Sequence, residues 1–136
     1  MLVETIMTKK VICLPEGASV AQARKLMEEN LVRSLPVVKD DMALVGIITQ
    51  RDIYAAGLSI LSNNYERGTN IFEANLVIDE LINRSVDTVT PKTSVQDAVI
   101  IMRELKVGAL PVTEFGKVVG IISNTDLLGV LASLLD

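Results

Sequence analysis

Gly46-Ile47-Ile48-Thr49-Gln50-Arg51-Asp52 is answered later in the chain by Gly120-Ile121-Ile122-Ser123-Asn124-Thr125-Asp126. Both stretches run glycine, two isoleucines, a hydroxyl residue, two variable positions and an aspartate. Working outward, Val45 matches Val119 at the same spacing. Upstream, at an offset one residue longer (75, as from Ser19 to Ser94), Ser19-Val20 matches Ser94-Val95, Ala23 matches Ala98 and Met27 matches Met102. Glu29, Val32 and Leu35-Pro36-Val37 continue the series as Glu104, Val107 and Leu110-Pro111-Val112, and Pro15 is answered by Pro91. The spacing drifts by single residues where loops are expected, as in a duplication with later loop changes.

The two copies read alike. Val11 to Leu14 and Val86 to Thr90 are β-branched runs ended by Pro15 and Pro91, which predicts short strands. Ser19 and Ser94 stand as helix N-caps. Behind them Val20, Ala23, Leu26 and Met27, repeated as Val95, Ala98, Ile101 and Met102, place one apolar stripe on a helix. Leu35 to Val38 and Leu110 to Val112 begin second strands, whose prolines belong at a strand start or an edge because they cannot donate to a ladder. Third strands follow over Leu44 to Ile48 and Val118 to Ile122, then helices after Thr49 and Ser123. Each half is β-α-β-β-α, and such a half alone buries too little surface to be comfortable. The expected fold class is therefore α/β, two pseudo-symmetric repeats packed sheet to sheet. Their expected bounds are residues 1–62 and 76–136, with a connecting loop over 63–75 and local helix near Ile71 to Ala74.

Composition narrows the function. The chain of 136 residues carries 13 Lys+Arg against 17 Asp+Glu, is 49% hydrophobic, and has no histidine. A net charge of −4 disfavours nucleic-acid binding through a basic face. Mechanisms that need an imidazole are excluded. Cys13 is the one cysteine, so no internal disulfide and no Cys/His metal cage is expected. The opening from Met1 to Met7 has neither the basic region nor the apolar run of a signal peptide, and Leu127 to Leu135 falls short of the roughly 20 residues that span a bilayer. A soluble, cytoplasmic protein is expected. No nucleophile, base and orienting partner occur together, so catalysis is not expected.

The repeated strand-to-helix junction holds the candidate chemistry. Ser/Thr followed three residues later by an acidic side chain is first of all a helix start, a capping box favoured also by the helix dipole. The same geometry suits a nucleoside. A helix N-terminus offers unpaired N–H groups to phosphate, the hydroxyl of Thr49 or Ser123 can donate to phosphate or sugar, and the carboxylate of Asp52 or Asp126 can accept from both hydroxyls of a ribose. Glycine at 46 and 120 lets another backbone or a flat base come close. The two readings are compatible, because a cap can yield its partner to a ligand.

Over nearly its whole length the chain resembles a tandem pair of CBS domains, the regulatory module named after cystathionine beta-synthase; two of them form a Bateman module. The resemblance rests on the duplicated Leu-Pro-Val and Gly-Ile-Ile-(Thr/Ser)-x-x-Asp segments and on the leads Thr5-Ile6-Met7-Thr8 and Leu81-Ile82-Asn83-Arg84. It implies a binding module that takes AMP, ADP, ATP or S-adenosyl compounds in clefts between the repeats and signals to an effector on another chain. By this resemblance Asp52 and Asp126 hold ribose hydroxyls and Thr49 and Ser123 lie near ribose or phosphate. Val11, Ile12, Leu35 and Pro36, with Val89, Leu110 and Pro111 as counterparts, flank adenine. The alternative within the same fold is a scaffold or dimerisation module whose clefts are vestigial.

The copies differ in charge. Arg33 precedes the first Leu-Pro-Val strand where Gly108-Ala109 precedes the second, and Arg51 beside Asp52 is answered by Thr125. Two guanidiniums able to fork onto phosphate make the Asp52 site the expected binder and the Asp126 site weak or empty. Tyr54, two residues past the motif, could flank a base but is expected to pack between helices, and Cys13 is expected to be inert core. The helix after Asp126 (Leu127, Leu128, Val130, Leu131, Leu134, Leu135) is apolar nearly all round, so a second copy of the chain is expected to cover it, giving a homodimer through helices.

Overall fold

Ser19 and Ser94 each start a helix of eleven residues. The computed structural model describes residues 1–63 and 76–135, with side chains described outside 58–63. Helix α1 is Val3–Ile6, α2 is Val20–Asn30, α3 is Gln50–Asn63, α4 is Val95–Leu105 and α5 is Asn124–Leu134. Ser19 Oγ accepts from Gln22 N (3.1 Å) and Gln22 Oε1 accepts from Ser19 N (2.8 Å), so two amides that the helix leaves unpaired are satisfied. Ser94 Oγ accepts from Asp97 N at 3.0 Å. Both helices end alike: Leu31 (φ 55°) and Lys106 (φ 57°) take the left-handed conformation, and Val32 N and Val107 N bond back to Met27 O and Met102 O. The expected stripe turns inward, with Val20, Ala23, Met27, Ala98 and Met102 buried.

Strands β1 (Leu14–Pro15), β2 (Ser34–Lys39), β3 (Ala43–Thr49), β4 (Ala109–Glu114) and β5 (Lys117–Ser123) follow the predicted order. β4 and β5 are antiparallel, Leu110 opposite Ile122 and Val112 opposite Gly120, with a bulge after Val112. The opening strands are shorter than the sequence predicts. β1 pairs with β2 in parallel only through Leu14↔Val37 and Pro15↔Val38, so Pro15 lies inside the strand rather than beyond it. It is tolerated because β1 has a single neighbour and needs no amide on its open side. In the second repeat the expected strand over Val86 to Thr90 reduces to one bridge, Val89↔Val112. Thr90 N is already taken by Thr93 Oγ1 at 3.0 Å, in a turn that carries the backbone away. The pattern is β-α-β-β-α in the first repeat and lacks a true opening strand in the second.

The contacts group the chain into two compact units that do not coincide with the sequence repeats. One gathers Met1–Val11, Asp41–Leu44 and Asp87–Asp136; the other gathers Ile12–Asp40 and Val45–Val86. Each lead is thus built into the unit of the other repeat. In the first unit Val3 N donates to Thr93 O (2.8 Å) and Val95 N to Met1 O (2.9 Å); in the second, Ile78 N donates to Ala18 O and Val20 N to Leu76 O, both at 2.9 Å. Val3 and Ile78 are fully buried, each in its own core: Val3 with Ala98, Met102, Leu110, Val112 and Ile122, and Ile78 with Val20, Met27, Leu35, Val37 and Ile48. These equivalences carry the offset of 75 into the leads. Thr8 therefore corresponds to Asn83, and not to Arg84, which ends the second lead as Thr8 ends the first. From residue 64 on, the expected connecting loop and the local helix near Ile71 to Ala74 lie outside the described residues, while α3 extends through Asn63.

Candidate functional site

Thr49 is the last residue of β3 and α3 starts directly after it, so the hydroxyl and Asp52 share one helix entrance. Asp52 Oδ2 accepts from Thr49 N (2.9 Å) and Thr49 Oγ1 accepts from Asp52 N (3.1 Å). The capping box is therefore real, and it occupies one carboxylate oxygen. Asp52 Oδ1 has no hydrogen-bond partner among the described residues. The carboxyl is half-buried. A carboxylate that is held in place by one oxygen and keeps the other free is pre-oriented to accept from a hydroxyl.

The basic side chains predicted beside it belong to the same unit. Gln50 N donates to Arg33 O at 2.9 Å, which sets the Arg33 backbone at the entrance of α3. Arg33 and Arg51 are both exposed, and neither forms an ion pair among the described residues. In the other unit Asn124 N donates in the same way to Gly108 O (2.9 Å), but there is no side chain at 108 and Thr125 carries no charge.

The second junction is satisfied differently. Asp126 Oδ2 accepts from Ser123 N (2.9 Å) and from Ser123 Oγ (3.1 Å), and Asp126 N lies 3.4 Å from Ser123 Oγ. Asp126 Oδ1 accepts from Thr8 Oγ1 at 3.0 Å. Both oxygens of this carboxylate are engaged. Thr8 is the residue that sequence reasoning missed; aligning the leads at the offset of 75 would have placed it opposite Asn83 and exposed the difference. Asn83 instead turns its side-chain oxygen to Ser85 N, at 3.0 Å.

The two glycines are accounted for by the leads. A Cβ at Gly46 would run into the Ile82 side chain and the Asn83 carbonyl oxygen, and one at Gly120 would come to 2.6 Å from Met7 Sδ. Of the residues expected to flank adenine, Leu35, Pro36, Val89, Leu110 and Pro111 are buried, whereas Val11 and Ile12 are half-buried. Tyr54 is exposed, not packed between helices. Its position two residues into the turn after Asp52 puts it off the buried stripe that Ile53 occupies. Cys13 is half-buried, and burial pushes its thiol up to about 11, so it stays protonated and unreactive near neutral pH. Among the described residues no group of His, Cys, Asp or Glu is arranged to hold a metal ion, and no helix is long and apolar enough to cross a membrane.

Residues 3–59 and 78–133 match the family model of the CBS domain. The chain is 33% identical over 131 residues to the uncharacterized protein MJ1225 of Methanocaldococcus jannaschii; that alignment takes in 96% of this chain and 43% of the relative. It thus spans less than half the length of that relative. Among solved structures, CBSX2 in complex with AMP superposes with a TM-score of 0.80 at 25% identity, covering 98% of this chain and 97% of that one. The CBS domain pair of protein MJ0100, in complex with 5-methylthioadenosine and S-adenosyl-L-methionine, superposes at 0.81 with 26% identity, covering 99% and 98%. The chain belongs to the CBS-domain family, of which it carries two repeats.

Proposed function

We propose that this CBS-domain pair is a regulatory module that binds an adenosine-containing ligand at the Asp52 junction. The observation that carries the reading is the free Oδ1 of a carboxylate already fixed through its other oxygen, next to Thr49 and the start of a fourteen-residue helix. Two ribose hydroxyls would donate to Asp52. The side chains of Arg33 and Arg51, at the positive end of the α3 dipole, would receive phosphate. Solved relatives that hold AMP, or 5-methylthioadenosine and S-adenosyl-L-methionine, support adenosine as the shared element. The pair of arginines favours AMP, ADP or ATP over the cationic S-adenosylmethionine. The output would be a cytoplasmic partner chain that binds the liganded and free forms with different affinity.

Thermal unfolding with AMP, ADP, ATP and S-adenosylmethionine tests this reading. A ligand at a hundred times its Kd adds about 2.7 kcal/mol of stability, a rise in Tm on the order of 10 °C. No shift with any of the four would leave the vestigial-cleft scaffold as the better account.

The apolar residues of α5 supply a second proposal. Leu128 (63%), Leu131 (49%) and Leu134 (73%) are exposed in the single chain, and Val99 and Ile100 of α4 are exposed in the same unit. Patches of this kind mark interaction surfaces, and a second copy of the chain would cover them. Analytical ultracentrifugation at micromolar concentration should show a dimer that Leu131→Glu converts to monomer. A wild-type monomer would sink this proposal.

A further inference from the structure

We propose that Thr8 acts as a built-in competitor at the second junction, its hydroxyl standing where a ribose hydroxyl would stand, so that Thr8 determines which of the two carboxylates a ligand can use. The inference rests on the reading that these carboxylates grip ribose. Thr8 Oγ1 donates to Asp126 Oδ1 at 3.0 Å, so that oxygen already receives from a hydroxyl the bond that a sugar would provide.

Thr8 is held in place by the unit that contains Asp126. Its own N–H donates to Ile121 O (2.9 Å), and Ile121 N donates back to Thr8 O (3.0 Å). Five residues earlier, the single turn of α1 is anchored by fully buried Val3 and by the bond from Val3 N to Thr93 O. The hydroxyl therefore stays beside Asp126 with little entropy left to lose. The bond is itself exposed, so an incoming ligand can displace it, but only by giving up what it contributes. In the other unit the equivalent residue is Asn83, which is also backbone-paired to β3, through Ile47, but whose side-chain oxygen accepts from Ser85 N and whose amide nitrogen makes no hydrogen bond to Asp52. Asp52 thus faces no such competitor among the described residues.

Isothermal titration with AMP on the full chain tests this in the Asp52→Ala background, where only the second junction remains. Adding Thr8→Val removes the donor and keeps the shape. The affinity for AMP should then rise about five-fold, the factor that corresponds to one net hydrogen bond. Thr8→Ser should restore the weak binding of Asp52→Ala, because the hydroxyl is back. The gain should be absent for 2′,3′-dideoxyadenosine 5′-monophosphate, which has no vicinal hydroxyls to take the place of Thr8. A merely structural role for Thr8 would lower affinity when it is cut, not raise it. Unchanged or weaker AMP binding in the Asp52→Ala/Thr8→Val protein, or an equal gain for the dideoxy ligand, overturns the proposal. If wild type binds AMP and these arms fail, the role of Thr8 falls and the Asp52 reading stands; if wild type binds none of the adenosine ligands, both fall.

Discussion

Asp52→Asn is expected to weaken AMP binding by about a hundred-fold while the protein remains folded. The asparagine oxygen can still accept from Thr49 N, so the start of α3 keeps its cap. What disappears is the negative charge and one acceptor, replaced by an amide that donates toward the sugar. Hydrogen bonds to a charged group are worth about 1.5–3 kcal/mol each, and roughly 2.7 kcal/mol in total is a hundred-fold in affinity. The cost to the fold is the helix-dipole share of the carboxylate, about 0.3–1 kcal/mol, a fall in Tm of a few degrees. Asp126→Asn should change total AMP binding far less, because both of its oxygens are already engaged within the chain. Calorimetry on the two variants decides the matter: similar losses for both would contradict the assignment of the Asp52 junction as the principal site.

Gly46→Ala is expected to be the most destabilising of the small substitutions, at about 3 kcal/mol. The added methyl would meet the carbonyl oxygen of Asn83 and stand 3.1 Å from its carbon, and neither can rotate away. Asn83 can retreat only by breaking the paired bonds Ile47 N to Asn83 O (3.0 Å) and Asn83 N to Ile47 O (2.9 Å). Two lost backbone bonds, each worth about 1 kcal/mol net, plus overpacking account for the figure. Gly120→Ala provides the control. Its new methyl would meet Met7 Sδ and Cε, the end of a side chain with three rotatable bonds, so a loss of about 1 kcal/mol is expected. Urea denaturation of the two variants should rank them in that order, and equal losses would show that Asn83 yields as readily as Met7.

Much of this was written in local sequence. Ser19 and Ser94 cap their helices as predicted, and so do Thr49 and Ser123, because a cap is a bond between residues three apart. The stripe through Val20, Ala23 and Met27 was legible for the same reason: helical spacing brings neighbours in sequence onto one face. The two opening strands were misjudged because β-branched residues favour extended backbone, whereas a ladder also needs a partner, and Val11 to Cys13 find none within any named strand. The apolar character of α5 was evident, but a sequence pattern shows that a face wants cover without showing that the chain leaves it uncovered.

Sequence alone determined the duplication, the family, the helix starts and the hydroxyl–aspartate pair at each junction, since all of these rest on residue identity and on contacts within a few positions. The sequence also marked the two junctions as unequal in their neighbouring arginines; tertiary structure alone decided that each lead joins the unit of the other repeat and that Asp126 has both oxygens engaged where Asp52 keeps one free. The partner that separates them, Thr8, lies 118 residues from Asp126. Which oxygen of a carboxylate stays free depends on what the folded chain brings within 3 Å of it, and that is set by packing rather than by the order of the residues.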